Sequence, residues 1–376
     1  MSQVRVLEGA PKGFFYAMLC TRPWTDIHVD ATGNITPCCQ IITDLDSDCI
    51  KTTNIDTYKQ SDWLSSLKDN LSKDHKDNRC FRCWYKPHSN HSEVVRSSKF
   101  SHLHLRVSNV CNFKCRSCSY IHSSTWYQED IKNGKSRNHI INDSVLDNST
   151  LYGLVIKANK ITLAGGEPLF SNTTLNLLNI LKANNKTDTD VWMNTNLSTT
   201  RLRGFSWKML FEGLSINLEA SLDGFGKQME YSRSGLNWDK TLRNFTIFRE
   251  YIKSILTVIS IYSVYSLPEL YKFADEQELS IDPVFVTFGG KSGNYLSIFS
   301  LPHTEKIKIA EHYSSLDNLE IKNRLYKDII EPLFEKDEYS EELTQKFISY
   351  NSRLDSIRGT NFLNTYPQYK DWYKNG

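Results

Sequence analysis

Three cysteines in one short segment have the spacing of ligands for an iron–sulfur cluster. Cys111, Cys115 and Cys118 form a C-x3-C-x2-C triplet that directly follows the apolar stretch 102–108. Three thiolates on one loop can bind three irons of a 4Fe–4S cluster, and the fourth iron is then open to a ligand that is not a side chain. Structural zinc normally has four protein ligands. The triplet therefore predicts cluster chemistry, with a zinc loop closed by a distant residue as the alternative.

A second motif, Ala164-Gly165-Gly166-Glu167-Pro168, ends the next predicted strand along the chain. Two glycines would allow a ligand to approach the backbone closely, and Pro168 suits the first turn of a following helix. On its own, such a motif indicates little more than a turn. Its position, one strand–helix unit after the cysteine triplet, favours a site that the two motifs share.

Four cysteines near the start of the chain have the spacing of a further metal site. Cys20 and Cys38 flank a stretch in which Gly33 predicts a hairpin turn, and a hairpin brings its two ends together. Cys80 and Cys83 form a C-x2-C pair further on. Four converging thiolates suit either a tetrahedral zinc ion or an iron–sulfur cluster, and from spacing alone zinc is the simpler interpretation.

Short apolar stretches alternate with helical ones from about residue 102 onward. This alternation predicts a parallel sheet with crossover helices, and in a βα barrel the loops after the strands form the catalytic face. The predicted strands are rich in β-branched and aromatic residues and span 102–108, 160–164, 190–195, 214–221, 255–263 and 283–288. The predicted helices span about 119–132, 172–184, 200–211, 237–252 and 267–278.

We predict an α/β fold in which a partial (β/α)6 TIM-like barrel occupies residues 101–290. A small cysteine-rich auxiliary segment, 1–100, precedes it, and a helical C-terminal extension, 291–376, follows it. A doubly wound sheet is the alternative for the same alternation of strands and helices. The polar, Asn-rich stretch 132–150 predicts a loop insertion.

Composition and charge argue against several classes of partner. Lys+Arg 45 against Asp+Glu 43 leaves a formal net charge of +2 in 376 residues, which favours neither a nucleic-acid surface nor an anionic membrane. No uncharged apolar run reaches the ~18 residues of a membrane-spanning helix. All nine cysteines lie between Cys20 and Cys118, a clustering that favours metal or redox chemistry over disulfides. We expect a cytoplasmic protein.

Together, the two motifs resemble those of the radical S-adenosylmethionine (radical SAM) enzymes. The resemblance is carried by the cysteine triplet and the Gly165-Gly166-Glu167-Pro168 turn. It implies that S-adenosylmethionine binds the open iron and that the turn contacts its amino group. Polar residues after later strands would hold the rest of the cofactor: Asn196, Ser221 and, more weakly matched, Asp223 at the ribose, and Arg233 at the carboxylate.

The first hundred residues resemble the auxiliary-cluster segment called SPASM or, in its shortened form, twitch, placed before the barrel. The cysteine spacing around Gly33, the later C-x2-C pair and a tail phrase at 354–359 carry this resemblance. It implies a second 4Fe–4S cluster, with zinc as the alternative, and Cys39 as a reserve ligand. Cys49 would be a free thiol. The implied ligands of the auxiliary cluster are Cys20, Cys38, Cys80 and Cys83.

The resemblance implies a type of chemistry more firmly than a substrate. We expect an oxidoreductase-like radical SAM enzyme that abstracts hydrogen from a peptide or protein and leads to oxidation, crosslinking or epimerisation. Its reductant would be a flavodoxin or ferredoxin. A small sugar, a nucleoside or a nucleic acid is the alternative substrate, and a non-catalytic, metal-stabilised binding protein is the alternative function.

A polar stripe in the fourth predicted strand contains a candidate catalytic residue. Asn217, Glu219 and Ser221 alternate with apolar residues, and a polar stripe on a covered parallel strand can point into a chamber. Glu219 is therefore a candidate for contact with substrate or cofactor. A satisfied buried carboxylate is the alternative interpretation.

Overall fold

An eight-stranded, mostly parallel sheet forms the centre of the fold. The computed structural model describes residues 20–30, 33–41, 54–73, 75, 77–80, 83, 100–137, 146–286 and 294–375. Its strands are β1 (Asp26–Val29), β2 (Ile35–Thr36), β3 (His102–Arg106), β4 (Lys160–Ala164), β5 (Asp190–Thr195), β6 (Arg201–Leu202), β7 (Phe205–Ser206), β8 (Ile216–Ser221), β9 (Ile252–Ile259) and β10 (Ser280–Phe285).

The strand order confirms a mostly parallel α/β sheet. Neighbouring strands follow the order β10-β9-β8-β5-β4-β3-β1-β2. The strands from β3 to β10 pair in parallel along this order, whereas β2 is antiparallel to β1. β6 and β7 form a separate small hairpin. Closure of the six parallel strands into a partial barrel stays a prediction.

The two faces of the sheet differ in polarity. Leu103 and Leu105 of β3 are fully buried, whereas His102, His104 and Arg106, which alternate with them, are only partly buried. Successive side chains of a strand point to opposite faces, so the apolar residues share one face and the polar ones share the other. β4, β5 and β8 have the same alternation, which includes the polar stripe predicted in β8.

Most helices of the parallel region begin at a side chain that caps their free N–H groups. Asp147, for example, accepts from the backbone N–H groups of Ser149 and Thr150. The helices up to the end of the parallel region are α1 (Arg22–Thr25), α2 (Ile55–Lys59), α3 (Asp62–Ser72), α4 (Ser124–Lys132), α5 (Asn148–Lys157), α6 (Asn172–Ala183), α7 (Trp207–Phe211), α8 (Gly226–Ser232), α9 (Trp238–Phe248) and α10 (Leu267–Glu276).

The C-terminal region is helical, as the sequence predicts. Its helices are α11 (His303–Ser314), α12 (Leu319–Leu325), α13 (Glu331–Glu335), α14 (Glu341–Arg358), α15 (Phe362–Thr365) and α16 (Lys370–Asn375), with a π-helical turn at Tyr326–Ile330. Phe347 of α14 and Phe362 of α15 stack among buried tyrosines, which include Tyr262 after β9. This aromatic cluster packs α14 against the parallel region.

The front segment is continuous with the sheet. The predicted hairpin is present, with Gly33 at a φ of 89°, and β1 also pairs in parallel with β3. Asp26 of β1 lies opposite His102 of β3 in this pairing. Cys20 precedes β1 and Cys38 follows the antiparallel β2, so both lie towards the amino end of β1, whereas the cysteine triplet follows the carboxyl end of β3. The predicted domain boundaries, at residues 100 and 290, stay predictions.

Several predicted bounds are displaced by a few residues, and two predicted elements differ from the structure in type over part of their length. The predicted helix 200–211 is instead the β6–β7 hairpin followed by α7, because Arg203 and Gly204 turn the chain with φ of 48° and 87°. The predicted loop 132–150 ends where α5 begins, so its last residues are helical. Among the described residues, no helix combines the length and the apolar character that crossing a bilayer requires.

Candidate active site

The three cysteines of the triplet and the Gly-Gly-Glu turn line one cavity. Cys111, Cys115 and Cys118 follow β3, and the turn follows the neighbouring β4. The cavity has a volume of about 380 Å³. The other residues predicted for the cofactor that line it are Gly165, Gly166, Glu167, Asn196, Ser221 and Arg233. The structure thus brings these nine predicted residues together, and their individual roles stay predictions.

The turn and the cysteine loop are joined by their backbones. The N–H of Gly166 donates to the carbonyl of Ser108 at 2.7 Å, and the N–H of Glu167 donates to that of Val110 at 2.9 Å. A Cβ on Gly166 would lie 2.2 Å from the Val110 carbonyl oxygen, and one on Gly165 would lie 2.5 Å from that of Ser108. Because the two glycines have no side chain, the turn can contact the cysteine loop. The sequence suggested instead that the glycines allow a close approach by a ligand.

Glu167 fixes the turn to the end of β5. Its carboxylate accepts from the Thr195 hydroxyl and the Asn196 N–H, both at 2.7 Å, and from the Leu169 N–H at 3.0 Å. Burial raises the pKa of Glu167 to about 7, although these hydrogen bonds oppose the shift. The side chain is only 1% exposed. Its position is that of a residue which orients the turn. Pro168 is buried in the short 3₁₀ turn that follows.

Asn196 contacts the cysteine loop directly. Its side-chain N–H₂ lies 3.9 Å from the Cys111 sulfur and 3.2 Å from the side-chain oxygen of Asn112, and its own oxygen accepts from the Ser198 N–H. These contacts orient the amide beside a predicted iron ligand. The sequence resemblance predicts a ribose contact at this position.

Arg233 and Asp223 form a bidentate ion pair. The Nε and Nη2 atoms of Arg233 donate to the two oxygens of Asp223 at 2.8 and 2.6 Å. Asp223 also accepts from the Val258 N–H at 3.1 Å, and it does not line the cavity. Burial opposes the charge on Arg233, but Asp223 and, after it, Cys115 and Cys111 together outweigh burial and raise the pKa of the guanidinium. Asp223 is thus placed to hold Arg233, which differs from the ribose contact predicted for it.

The donor set of the loop suits a thiophilic metal group. Burial raises the pKa of Cys115 to about 12 and also raises the pKa values of Cys111 and Cys118, while the nearby charge of Arg233 lowers that of Cys115. Without a metal, these thiols keep their protons at neutral pH. Metal binding must therefore displace the protons, as is usual for thiolate ligands. Three such sulfurs at one cavity fit the predicted iron–sulfur cluster.

The C-terminal helix α14 anchors the cysteine loop. Arg116 is fully buried inside the loop, and it donates to Asp355 at 2.6 Å and to Asn351 at 3.1 Å. Its guanidinium also lies 3.7 Å from the centre of the Tyr231 ring. The Tyr350 hydroxyl returns a hydrogen bond to the Arg116 carbonyl at 2.7 Å. This clamp, made of residues far apart in sequence, has no local sequence signal.

A second ion pair supports the same loop from its other side. Arg358, near the end of α14, donates to Glu129 of α4 at 2.8 Å, and Lys114 of the loop pairs with the same carboxylate. Arg358 also lies 4.6 Å from the centre of the Trp126 ring, and the indole N–H of Trp126 donates to the Cys115 carbonyl at 2.7 Å. The segment 354–359 thus contains Asp355 and Arg358, which anchor the cysteine loop from its two sides.

The front cysteines share a small apolar environment. Cys20, Cys38 and Cys80 pack against one cluster of buried residues, Ile41, Leu67 and Leu71. Burial first, and then nearby groups that include Asp77 and the other front thiols, raises the pKa of Cys80 to about 12. Among the described residues, no three His, Cys, Asp or Glu side chains lie close enough to bind a single ion, so the ligand set with Cys83 stays a prediction. Cys49 lies outside the described residues.

Cys39, the predicted reserve ligand, lies elsewhere. It lines the cavity of the cysteine triplet together with Gln40, whose side-chain N–H₂ lies 3.8 Å from its sulfur. The front segment therefore forms part of the cavity wall.

Glu219 lies beside the cavity in a polar cluster. It accepts a hydrogen bond from Asn194, which lines the cavity, and one from the Ser254 hydroxyl at 3.3 Å. Burial and the neighbouring Asp282 raise the pKa of Glu219. Its partners fit the interpretation of a satisfied carboxylate, and a catalytic role stays a prediction.

Two polar residues of β3 that line the cavity are absent from the sites predicted from the sequence. His104 and Arg106 of β3 line the cavity beside the cysteines. The signal that could have found them is the period-two alternation of His102, His104 and Arg106 with buried leucines, since it places them on the face of the sheet that leads to the site.

Residues 102–243 match the model of a 4Fe-4S single cluster domain. The matched segment begins with β3 and includes the cysteine triplet, the Gly-Gly-Glu turn and Arg233. This match confirms the prediction of a 4Fe–4S cluster. A search of curated proteins found no match.

Solved structures give only a distant likeness. SuiB of Streptococcus suis bound to S-adenosylmethionine is 14% identical, with 72% of this chain and 55% of that chain covered and a TM-score of 0.39. SuiB bound to the precursor peptide SuiA has the same identity, with 74% and 54% covered and a TM-score of 0.40. A structure of TYW1 with a lysine–pyruvate adduct is 16% identical, with 54% and 68% covered and a TM-score of 0.31. The chain spans about half the length of SuiB, and TM-scores below 0.5 carry no conclusion about activity.

Proposed function

We propose that this chain is a radical SAM enzyme that cleaves S-adenosylmethionine reductively. The observation that carries the proposal is the backbone-to-backbone junction of the cysteine loop with the Gly-Gly-Glu turn, at the carboxyl ends of two adjacent parallel strands. When bound, a reduced 4Fe–4S cluster and S-adenosylmethionine would supply one-electron cleavage of a carbon–sulfur bond, which would give methionine and a 5′-deoxyadenosyl radical able to abstract hydrogen from a substrate.

The chain's own residues would bind and orient these groups. Cys111, Cys115 and Cys118 would hold the cluster, and the polar backbone of the turn would face the amino group of the cofactor. Arg233 keeps its charge beside Asp223 and is suited to a carboxylate. Asn196 lies next to the Cys111 sulfur and is suited to a hydroxyl group.

The enzyme activity can be tested with cluster-loaded protein under anaerobic conditions. With dithionite and S-adenosylmethionine, the wild type should form 5′-deoxyadenosine and Cys115→Ala should not. Cys39→Ala serves as the matched control, because Cys39 lines the same cavity outside the triplet. Iron and sulfide should fall in Cys115→Ala alone. Equal formation of 5′-deoxyadenosine by all three proteins would refute the proposal.

We further propose a peptide or protein substrate and an auxiliary 4Fe–4S cluster on Cys20, Cys38, Cys80 and Cys83. Support comes from the resemblance of the front segment, from the shared environment of three of these cysteines and from the contribution of that segment to the cavity wall. The reductant would be a flavodoxin or ferredoxin in the cytoplasm. Mass spectrometry of candidate peptides after turnover tests the substrate class, and turnover of a nucleoside or sugar instead would refute it.

The cluster count separates the two metal sites. Two 4Fe–4S clusters contain about eight irons. Cys80→Ala should remove about half of this iron, because the cluster on the cysteine triplet would remain. Zinc in the wild type, with about four irons, would refute the auxiliary cluster without affecting the proposed activity.

A further inference from the structure

The polar face of β3 carries three residues with different numbers of partners. Both ring nitrogens of His102 are engaged, one with Asp26 at 3.1 Å and the other with the Thr162 hydroxyl at 2.9 Å. His104 and Arg106 lie further along the same face, towards the cysteine loop, and both line the cavity. The inner residue of the stripe is therefore held by protein groups, whereas the outer two face the cavity.

Arg106 differs from the other arginines around the site. Arg116 pairs with Asp355, Arg233 with Asp223 and Arg358 with Glu129. Among the residues that the structure describes, no carboxylate lies within ion-pair distance of Arg106, and it makes no hydrogen bond there. A partly buried guanidinium without a counter-charge favours an anionic ligand.

His104 adds a neutral hydrogen-bonding group next to this cation. Its ring packs edge-on against His28, with ring centroids 4.9 Å apart, and within the described residues its nitrogens make no hydrogen bond. Burial first, and then nearby positive charge that includes Arg106, lowers the pKa of His104 to about 2. The neutral ring offers one N–H donor and one acceptor. Gln40 of the front segment, which also lines the cavity, offers an amide.

We propose that Arg106, with His104 beside it, binds a carboxylate group of the substrate and so selects acidic peptides. This inference rests on the proposed function and names the substrate class of the same site. The planar guanidinium matches a carboxylate through two parallel hydrogen bonds. The residues predicted for S-adenosylmethionine come from β4 onward, whereas Arg106 lies on β3, which pairs with the front segment. The carboxylate therefore enters from the front side of the cavity.

Two capped peptides that differ at one residue test this selection. Acetylated and amidated peptides, fluorescently labelled and containing either Glu or Gln at the centre, are titrated with cluster-loaded full-length protein in fluorescence anisotropy. The wild type should bind the Glu peptide about 10- to 100-fold more tightly, the range of a charge-assisted hydrogen bond. Arg106→Gln should remove the difference, and Arg106→Glu should reverse it in favour of a Lys peptide. Arg201→Gln, on the exposed β6–β7 hairpin, should behave as wild type.

Further measurements separate the sources of the carboxylate and the two proposals. If a terminal carboxylate is the ligand, a peptide with a free C-terminus and Gln at its centre should bind as tightly as the Glu peptide. S-adenosylmethionine affinity, compared at equal iron content, should be unchanged in Arg106→Gln. Loss of cofactor affinity with an unchanged peptide preference, or no preference for either carboxylate in the wild type, would overturn the inference. An Arg106-dependent preference without 5′-deoxyadenosine formation would refute the proposed activity alone.

Discussion

Arg116, inside the cysteine loop, donates to Asp355 of α14 at a distance of 2.6 Å. Asp355 also accepts from the hydroxyls of Tyr231 and Thr360 and from the N–H of Phe362. One carboxylate thus connects the loop to three other parts of the chain. Because Arg116 is fully buried, its charge depends on this partner.

Asp355→Ala should therefore destabilise the protein and the cluster site together. Removing one partner of a buried ion pair costs about 3–5 kcal/mol, and the iron bound per chain should fall. The matched control is Glu342→Ala in the same helix, which removes an exposed pair with Lys346 and should cost less than about 1 kcal/mol. Urea unfolding of the metal-free proteins and iron analysis of the loaded ones measure both effects. An Asp355→Ala protein with normal stability and iron would contradict the clamp.

Gly166→Ala should separate the turn from the cysteine loop. The new Cβ would lie 2.2 Å from a backbone carbonyl of the loop, which cannot yield as a flexible side chain could. Overpacking of this kind costs about 1–3 kcal/mol, and 5′-deoxyadenosine formation should be lost. Gly153→Ala, within α5 and with no atom within 4 Å of its Cβ, should instead stabilise the protein slightly. Normal activity of the Gly166 variant would show that the junction tolerates a side chain.

In the metal-free protein, Glu167→Gln should gain stability relative to the wild type as the pH rises from 4.5 to 7. Burial raises the pKa of Glu167 from 4.5 to about 7, so the folded state binds the proton more tightly than the unfolded state. Between pH 4.5 and 7 this group therefore lowers stability as pH rises. The shift corresponds to about 3 kcal/mol of unfolding free energy that the wild type loses as Glu167 ionises. The Gln variant has no ionising group at this position and keeps this stability.

Urea unfolding of wild type and Glu167→Gln across pH 4.5–8.5 tests this expectation. The difference in unfolding free energy should grow in favour of the variant up to about pH 7 and then become constant. Parallel curves would show that Glu167 titrates normally.

His28→Asn should reduce the loss of stability in acid. Burial lowers the pKa of His28 from 6.5 to about 3, with the charges of Arg106 and Arg22 as smaller causes. Its ring contacts the Thr36 hydroxyl at 2.9 Å, a bond that the Asn amide can keep. As pH falls below 6.5, the unfolded state takes up the proton first, so stability is lost by up to about 1.4 kcal/mol per pH unit. Urea unfolding between pH 4 and 7 should give a shallower slope for the variant, and an identical slope would contradict a buried neutral ring.

Local patterns predicted the parallel strands well. The predicted strands 160–164 and 190–195 have the bounds of β4 and β5, because short β-branched runs end at clear turn signals. The fifth predicted strand, 255–263, began three residues late because Lys253 and Ser254 interrupt the apolar residues between Ile252 and Ile255. The helix predicted at 200–211 failed at a left-handed turn that two residues create.

Pairings between distant parts of the chain could not be predicted. The motif spacing indicated which cysteines and glycines share a cavity, because adjacent parallel strands end at one edge. Nothing local indicated that β1 would join β3, or that Asp223 would pair with Arg233. These arrangements depend on packing and charge pairing across the finished fold, and the sequence pattern carries no local trace of them.

The anchor of the cysteine loop has a consequence for biosynthesis. Arg116 and Asp355 are separated by 239 positions, so the ribosome makes the loop long before its anchor exists. During that interval the three thiols belong to an unclamped nascent segment. Iron delivery that requires the clamped loop must therefore wait until α14 has emerged, and a transcript truncated before it would give a chain with exposed, oxidisable sulfur and no cluster.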